Sequence, residues 1–268
     1  MLLSRFLLPA SVIGLICFGS PLSADPVAFT NFQVLNAFST SGPLTLKIND
    51  NGDIAGTLRS QSGFFLPAGS AAPSVITYPG GSYTDITGLN NSDELVGYSF
   101  AGNKLQGFTY SSGVFSPVNT NANYTLANAI NNKGDVAGAY SLLGSSGTGF
   151  SIINGQLDTF SVPGAPSSTY ATGINDSDQI VGYFFGQTVS GGFLRMPNGD
   201  ITIFGAGTLS YQTPKDINNA GFVVGSYGDP VTNTSHGFVH VGDTTYTFDA
   251  PGAYAIQVRI NKGTCVAY

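Results

Sequence analysis

The chain has no tryptophan, two histidines, two cysteines and little charge, with Asp, Glu, Lys and Arg making up 9% of its 268 residues. A soluble globular domain usually carries roughly 25%. Each shortage excludes something. A helix-rich surface needs long charged side chains, and the 36 glycines count against one too, because Gly inside a helix costs about 1 kcal/mol relative to Ala. Coiled coils and charged helical bundles are thereby excluded. Nine basic against fifteen acidic residues provide no basic surface for phosphates, which removes nucleic acid as a partner. What is present is apolar: 42% hydrophobic and 12% aromatic residues suffice for a sizeable core and argue against disorder.

Residues 1–24 read as a secretory signal peptide. Arg5 forms the positive n-region, Phe6 to Phe18 is uncharged and mostly apolar, and Gly19, Ser20 and Pro21 break that stretch. Its length suits a signal h-region of about 7 to 15 residues rather than a membrane span of about 20. Ser23 and Ala24 are small, so cleavage is expected near Ala24. Cys17 follows the bulky Ile16, where a lipoprotein signal carries a small residue, so lipidation is not expected. Residues 25–268 then hold a single cysteine, Cys265, which cannot form an intrachain disulfide. No second apolar run reaches spanning length. The expected product is a monomer, secreted or held in the periplasm or at the cell surface.

One unit is written six times. The segments are TLKINDNGDIAGTL, ITGLNNSDELVGYS, ANAINNKGDVAGAY, ATGINDSDQIVGYF, PKDINNAGFVVGSY and QVRINKGTCVAY, anchored on Asn49, Asn90, Asn131, Asn175, Asn218 and Asn261. A second marker runs in phase: Gly63-Phe64, Gly107-Phe108, Gly149-Phe150, Gly192-Phe193 and Gly237-Phe238. A looser third, Pro79-Gly80, Pro163-Gly164 and Pro251-Gly252, precedes the next anchor. Repeats of this kind outrank any local signal as evidence of architecture.

Each unit reads as strands. The Ile-Asn segment ends one strand, and the fourth turn position, Gly52, Asp93, Gly134, Asp178 or Gly221, carries a residue type that tolerates positive φ, as a short hairpin demands. A second strand follows, with Gly56, Gly97, Gly138, Gly182 or Gly225 inside it, where a glycine marks close backbone approach; the expectation is crowding between neighbouring units. The Gly-Phe segment is a third strand. A fourth, such as Ile201-Thr202-Ile203-Phe204, completes the unit. Four short antiparallel strands in about 43 residues is the length of a propeller blade. The predicted fold is therefore an all-β β-propeller of five complete blades plus a composite sixth, in which a strand near Phe29 to Phe38 joins the C-terminal hairpin. Five blades with a separate hairpin is the alternative. Closure would remove exposed strand edges.

These repeats resemble those of the bacterial extracellular HAF-repeat family. The residues that carry the resemblance are His236-Gly237-Phe238 with Phe248, Pro251 and Gly252, and Thr172-Gly173-Ile174-Asn175 running to Gly182-Tyr183. It extends over nearly all of residues 25–268 and implies secretion and a propeller-like fold, with no particular reaction. The last unit departs from it, being one residue shorter after Asn261 and having Ala267 where the strand glycine falls.

Motifs for chemistry are sparse. No G-x-S-x-G elbow, Walker loop, strand-following G-x-G-x-x-G or HExxH occurs. His236 and His240, four apart on a strand, share a face but have no third ligand at recognisable spacing. Asp50, Asn51 and Asp53 resemble a fragment of a calcium loop, yet Asn, Asp and Gly are also what the hairpin turn requires. Phe64, Phe108, Phe150, Phe193 and Phe238 recur once per unit, as an interface between stacked units requires. Tyr98, Tyr140, Tyr183 and Tyr227, at the ends of the glycine-containing strands, are the candidate ligand-binding residues, placed on one face or along the axial channel to stack on sugar or peptide. The expected function is binding or surface interaction, with an extracellular glycan or protein as partner and no cofactor. The alternatives are a polysaccharide- or peptide-acting enzyme with carboxylates converging in the central channel, and a structural envelope or matrix component.

Overall fold

The computed structural model describes residues 12–16, 29–32, 45–58, 61–142, 146–164, 168–186, 189–205, 212–229, 231–232, 234–248, 258–260 and 264–267. Ala24, the sixth anchor Asn261 and the Pro251-Gly252 pair lie outside them. Among the described residues every regular element is a strand. The two N-terminal strands are β1 (Val12–Ile16) and β2 (Phe29–Phe32). Blade 1 follows as β3 (Thr45–Ile48), β4 (Ile54–Thr57), β5 (Gly63–Leu66) and β6 (Ser74–Ile76). Blade 2 is β7 (Asp85–Leu89), β8 (Leu95–Ala101), β9 (Lys104–Ser111) and β10 (Val114–Pro117). Blade 3 is β11 (Tyr124–Ile130), β12 (Val136–Ser141), β13 (Thr148–Ile153) and β14 (Gln156–Phe160). Blade 4 is β15 (Ser168–Ile174), β16 (Ile180–Phe185), β17 (Gly191–Arg195) and β18 (Ile201–Phe204). Blade 5 is β19 (Thr213–Ile217), β20 (Val223–Asp229), β21 (Thr234–Val241) and β22 (Thr244–Phe248). The C-terminal hairpin is β23 (Val258–Ile260) and β24 (Thr264–Ala267).

Each of the five blades is an antiparallel meander in chain order, and the termini form a sixth sheet in the order β2-β1-β24-β23. The composite blade thus exists, with one correction to its expected make-up. The strand beside the C-terminal hairpin is β1, paired Ile13↔Ala267 to Ile16↔Thr264, and Phe29–Phe32 lies outside it, paired to β1 alone. Two strands from each end complete the four. The ring closes because β23 packs against β19 and β20 on one side and touches β3 on the other.

The turn after each anchor asparagine has the geometry its residues demand. Gly52, Asp93, Gly134, Asp178 and Gly221 all have positive φ, between 60° and 87°. The Asn154-Gly155 hairpin has both central residues at positive φ, the pattern of a two-residue turn whose twist matches its strands. In blades 2 to 5 the innermost strand also carries a bulge three residues before the anchor, at Thr87, Asn128, Thr172 and Lys215.

The core is a series of seams between consecutive blades. Ala55 and Ile76 of blade 1 pack with Ile86, Leu95 and Phe108 of blade 2, and Val181 of blade 4 packs with Ile217, Val223 and Phe238 of blade 5. The five repeated phenylalanines, Phe64, Phe108, Phe150, Phe193 and Phe238, are fully buried, each contributing about 1.5 to 3 kcal/mol. The glycine of the second strand is explained within its own blade, which corrects the expected crowding between units. A Cβ on Gly97 would lie 1.9 Å from the Asp85 carbonyl oxygen and 2.9 Å from the Phe108 ring, both in blade 2. The Gly-Phe glycines are crowded from both sides: a Cβ on Gly63 would meet Ile86 and one on Gly107 Thr125, both in the next blade, whereas one on Gly149 would meet Phe160 and one on Gly237 Phe248, both in its own blade.

Candidate functional site

The six innermost strands surround an axial channel, and among the described residues three rings of hydrogen bonds join those of blades 1 to 5. In the first, the anchor asparagine's amide donates to the backbone carbonyl of the next anchor: Asn49 to Asn90, Asn90 to Asn131, Asn131 to Asn175 and Asn175 to Asn218, at 3.0–3.1 Å. Its carbonyl oxygen accepts from the backbone N–H groups two and four residues on, as Asn131 does from Lys133 and Asp135. In the second ring, the following residue accepts from the previous blade's backbone: Asn91 from Asp50, Asn132 from Asn91, Asp176 from Asn132 and Asn219 from Asp176. The third is built from the bulges. Thr87 donates to the Ala127 carbonyl, Asn128 to Ala171 and Thr172 to Pro214, while Thr45 of the unbulged blade 1 donates to Ile86.

Two cavities lie along this axis. The smaller, about 90 Å³, is bounded by the anchor turns and by Ile48, Leu89, Ile130, Ile174, Ile217 and Ile260, one apolar residue from each innermost strand. The larger, about 290 Å³, is lined by Thr45, Lys47, Thr87, Tyr98, Leu126, Asn128, Tyr170, Thr172, Tyr183 and Lys215. Lys47 borders both cavities, and its ammonium lies 3.7 Å from the Asp216 carboxylate, which borders the smaller. The pair bridges blade 1 and blade 5. Gly88 and Gly173, two before the anchor in blades 2 and 4, stand where the next innermost strand comes close: a Cβ on Gly88 would lie 2.6 Å from Val96 and 3.3 Å from Ala129, and one on Gly173 3.0 Å from Val181 and 3.1 Å from Asp216.

The four candidate tyrosines divide. Tyr98 and Tyr183 enter the larger cavity together. Tyr140 lines a neighbouring cavity of about 160 Å³ that shares Leu126 and Tyr170 with it. Tyr227 lines none of these and stacks on His236, with centroids 5.0 Å apart. Burial pushes the Tyr98 hydroxyl well above its ordinary range, aided by the charge and hydrogen bond of Asp85 and by Tyr83 and Tyr183 nearby. Burial and Tyr170 raise Tyr183. Both are neutral hydroxyls at any physiological pH.

Several lining residues escaped the sequence reading. Tyr170 stacks on Tyr183 at 5.2 Å and 22°, and Lys47, Lys215 and the ring threonines complete the wall. A signal was available, because the position three before the anchor holds Thr87, Asn128, Thr172 and Lys215, a polar column repeated from blade 2 to blade 5.

The acidic turns serve the rings. Asp53 accepts from the Ala68 N–H and the Asn49 amide, Asp50 accepts from Asn91, and the Asn51 amide donates to the Asn91 carbonyl. The proposed calcium-loop fragment is thus tied into blade contacts. Among the described residues no group of three or more His, Cys, Asp or Glu is placed to hold a metal. His240 stacks on Phe204 of blade 4 at 4.6 Å and hydrogen-bonds Thr245, while His236 hydrogen-bonds Thr234.

No family model matches the chain, and no curated protein matches it. Solved structures do. TolB from Acinetobacter baumannii aligns with TM-score 0.62 and 13% identity over 96% of this chain, which spans 63% of that one. A triple arginine-to-alanine mutant of AofleA from Arthrobotrys oligospora aligns with TM-score 0.50 and 12% identity, covering 84% of this chain and 77% of that one. The fold is a β-propeller. A catalytically inactive virginiamycin B lyase from Staphylococcus aureus, solved with quinupristin, aligns with TM-score 0.49 and 13% identity over 81% of this chain and 74% of that one. At such identities the likeness concerns the propeller scaffold alone, which hosts unrelated functions.

Proposed function

We propose that this propeller is an exported binding module whose ligand enters the larger axial cavity between Tyr98 and Tyr183. The observation that carries the reading is the cavity wall, which joins three tyrosines from blades 2 and 4 to a ring of polar side chains. Concave sites with aromatic walls and a few convergent polar groups are the usual small-ligand sites. Binding is favoured over catalysis by the fate of the carboxylates at the axis. Asp216 pairs with Lys47, Asp176 is held by Asn132 and Asn219, and Asp50 by Asn91. Export is supported by the pattern of residues 1–24, and by the HAF-like residues His236-Gly237-Phe238 and Thr172-Gly173-Ile174-Asn175.

The test is a screen of immobilised glycans and peptides with the wild-type chain and with Tyr183→Ala. A ligand that the wild type retains and the variant loses supports the reading. A screen without any ligand overturns it and favours a structural envelope role; retention by both proteins moves binding away from the cavity.

A further inference from the structure

Resting on the reading that the larger axial cavity is the binding site, we infer that its ligand is an uncharged saccharide of at least two rings, one ring in that cavity and the next in the neighbouring cavity of about 160 Å³. Charge, hydrogen-bond direction and the continuity of the two cavities support it.

The charges of the site balance. Its wall holds Lys47 and Lys215, and two carboxylates stand against that wall: Asp216 pairs with Lys47 over 3.7 Å, and Asp85 accepts from the Tyr98 hydroxyl. Both lysines are already engaged by the protein. The neighbouring cavity has no Asp, Glu, Lys, Arg or His in its wall. A charged ligand would give up its hydration here without gaining a counter-charge, so the fitting ligand is neutral.

The polar groups of the wall spend their hydrogens on the protein. Thr45, Thr87 and Thr172 each donate to a carbonyl of the next blade, and the Asn128 amide does the same. A hydroxyl has one donor and two acceptor lone pairs, so these groups turn acceptors to the ligand, which must bring the donors. The same bonds occupy the carbonyls of Ile86, Ala127, Ala171 and Pro214 on the innermost strands. An extended peptide, which binds by pairing with a free strand edge, finds those positions taken. A saccharide brings many hydroxyl donors and flat C–H faces for the tyrosines.

The two cavities share Leu126 and Tyr170. At about 290 Å³ the larger stands at the lower limit of the ~300–1,000 Å³ usual for small-ligand sites, and its neighbour brings the site within that range. Tyr98 and Tyr183 belong to the larger cavity, Tyr124 and Tyr140 to the smaller, and Tyr170 to both. Each of two linked rings therefore meets tyrosine.

The test is calorimetric titration of the full chain with glucose, galactose, mannose, cellobiose, lactose, mannobiose, glucuronate and galacturonate. At least one disaccharide is expected to bind about tenfold or more tightly than its component monosaccharides, with an affinity that added salt leaves unchanged. Neither uronate should bind more tightly than its neutral counterpart. Tyr140→Ala is expected to bring the disaccharide to the affinity of the monosaccharide while leaving the monosaccharide unaffected. Should that variant fail to fold, Tyr124→Ala is expected to do the same. Equal binding of monosaccharides and disaccharides overturns the inference, as does tighter uronate binding that weakens in salt. Peptides captured through Tyr183, or no heat from any of the six neutral sugars while other ligands are still captured through Tyr183, overturn the saccharide assignment and leave the cavity as a binding site. An empty glycan and peptide screen overturns the parent reading with it.

Discussion

The side-chain amide of Asn131 donates to the backbone carbonyl of Asn175 over 3.1 Å, across 44 residues of chain. The same side chain closes its own turn through the N–H groups of Lys133 and Asp135 and donates to the Asp135 carboxylate. One buried residue thus makes both the hairpin and the join to the next blade.

Replacing Asn131 by Ala orphans two backbone donors, the N–H groups of Lys133 and Asp135, and removes the join to the Asn175 carbonyl, which keeps the Asp178 N–H. An unsatisfied buried group costs about 1 to 3 kcal/mol, so Asn131→Ala is expected to destabilise the protein by about 3 kcal/mol or more in urea unfolding. Asn131→Asp keeps the acceptor but loses both donations and sets a second carboxylate against Asp135, so it should do no better at neutral pH. The exposed Asn198→Ala is the control, with an expected loss of about 1 kcal/mol or less.

Glycine substitutions separate two reasons for the residue. A Cβ on Gly138 would lie 1.9 Å from the Leu126 carbonyl oxygen and 2.8 Å from the Phe150 ring. Backbone and a fully buried ring must both shift, and Gly138→Ala is expected to cost more than about 3 kcal/mol or to prevent folding. Gly113 has φ 87° but nothing within 4 Å of its Cβ position. Gly113→Ala should cost only the backbone strain, about 1 to 2 kcal/mol. Melting temperatures that fall equally for both would contradict the packing argument.

The repeat arithmetic made the blades, the left-handed turn position and the buried phenylalanines legible, because each is a local demand repeated in phase. The direction of crowding at Gly56, Gly97 and Gly138 was not, since it depends on how closely the first-strand carbonyls of Thr45, Asp85 and Leu126 approach the second strand, with or without a bulge. The identity of the strand beside β24 was hidden for a different reason. Val12–Ile16 has the apolar composition of a signal core and of a buried strand at once. Tyr98 and Tyr183 could be singled out from their column, but nothing in sequence order sets them in one cavity while Tyr227 stacks on His236. Lys47 and Asp216 lie far apart in the chain and meet only because the ring closes.

The turn carboxylates give a pH signature of two signs. Burial alone would raise Asp135, but the Asn154 N–H, the Asn131 amide and Lys133 outweigh it and hold its carboxyl below the usual range. A group lowered in the folded state contributes stability above its unfolded pKa of about 3.9, and that stability is lost as pH falls through the folded value. Asp135→Ala should therefore destabilise at pH 7 by about 2 to 3 kcal/mol and make much less difference in acid. Asp93 behaves oppositely. Burial and the charge of Asp53 raise its pKa, so its ionisation opposes folding as pH rises through the folded value. Asp93 has φ 60°, which Asn tolerates. Asp93→Asn is expected to raise the melting temperature at pH 7 and to leave it unchanged at pH 3; a fall at pH 7 would refute the assignment.

The composite blade places β1, a strand inside the expected signal segment, between β24 and β2. β2 runs antiparallel to β1 and β1 antiparallel to β24, so β2 is parallel to β24 and cannot take the place of β1 by sliding inward. A chain beginning at Asp25 therefore leaves the outer edge of β24 without its partner strand. Unpaired edges exchange their amide hydrogens readily and template association with other chains. Hydrogen exchange is expected to be faster over Thr264–Ala267 in the shortened chain than in the full one, with blades 2 to 4 unchanged, and size-exclusion chromatography should show concentration-dependent association. Equal protection of Thr264–Ala267 in both chains would mean that the segment around Phe29–Phe32 has reversed direction to fill the third place itself, the arrangement expected if that segment pairs directly with the C-terminal hairpin.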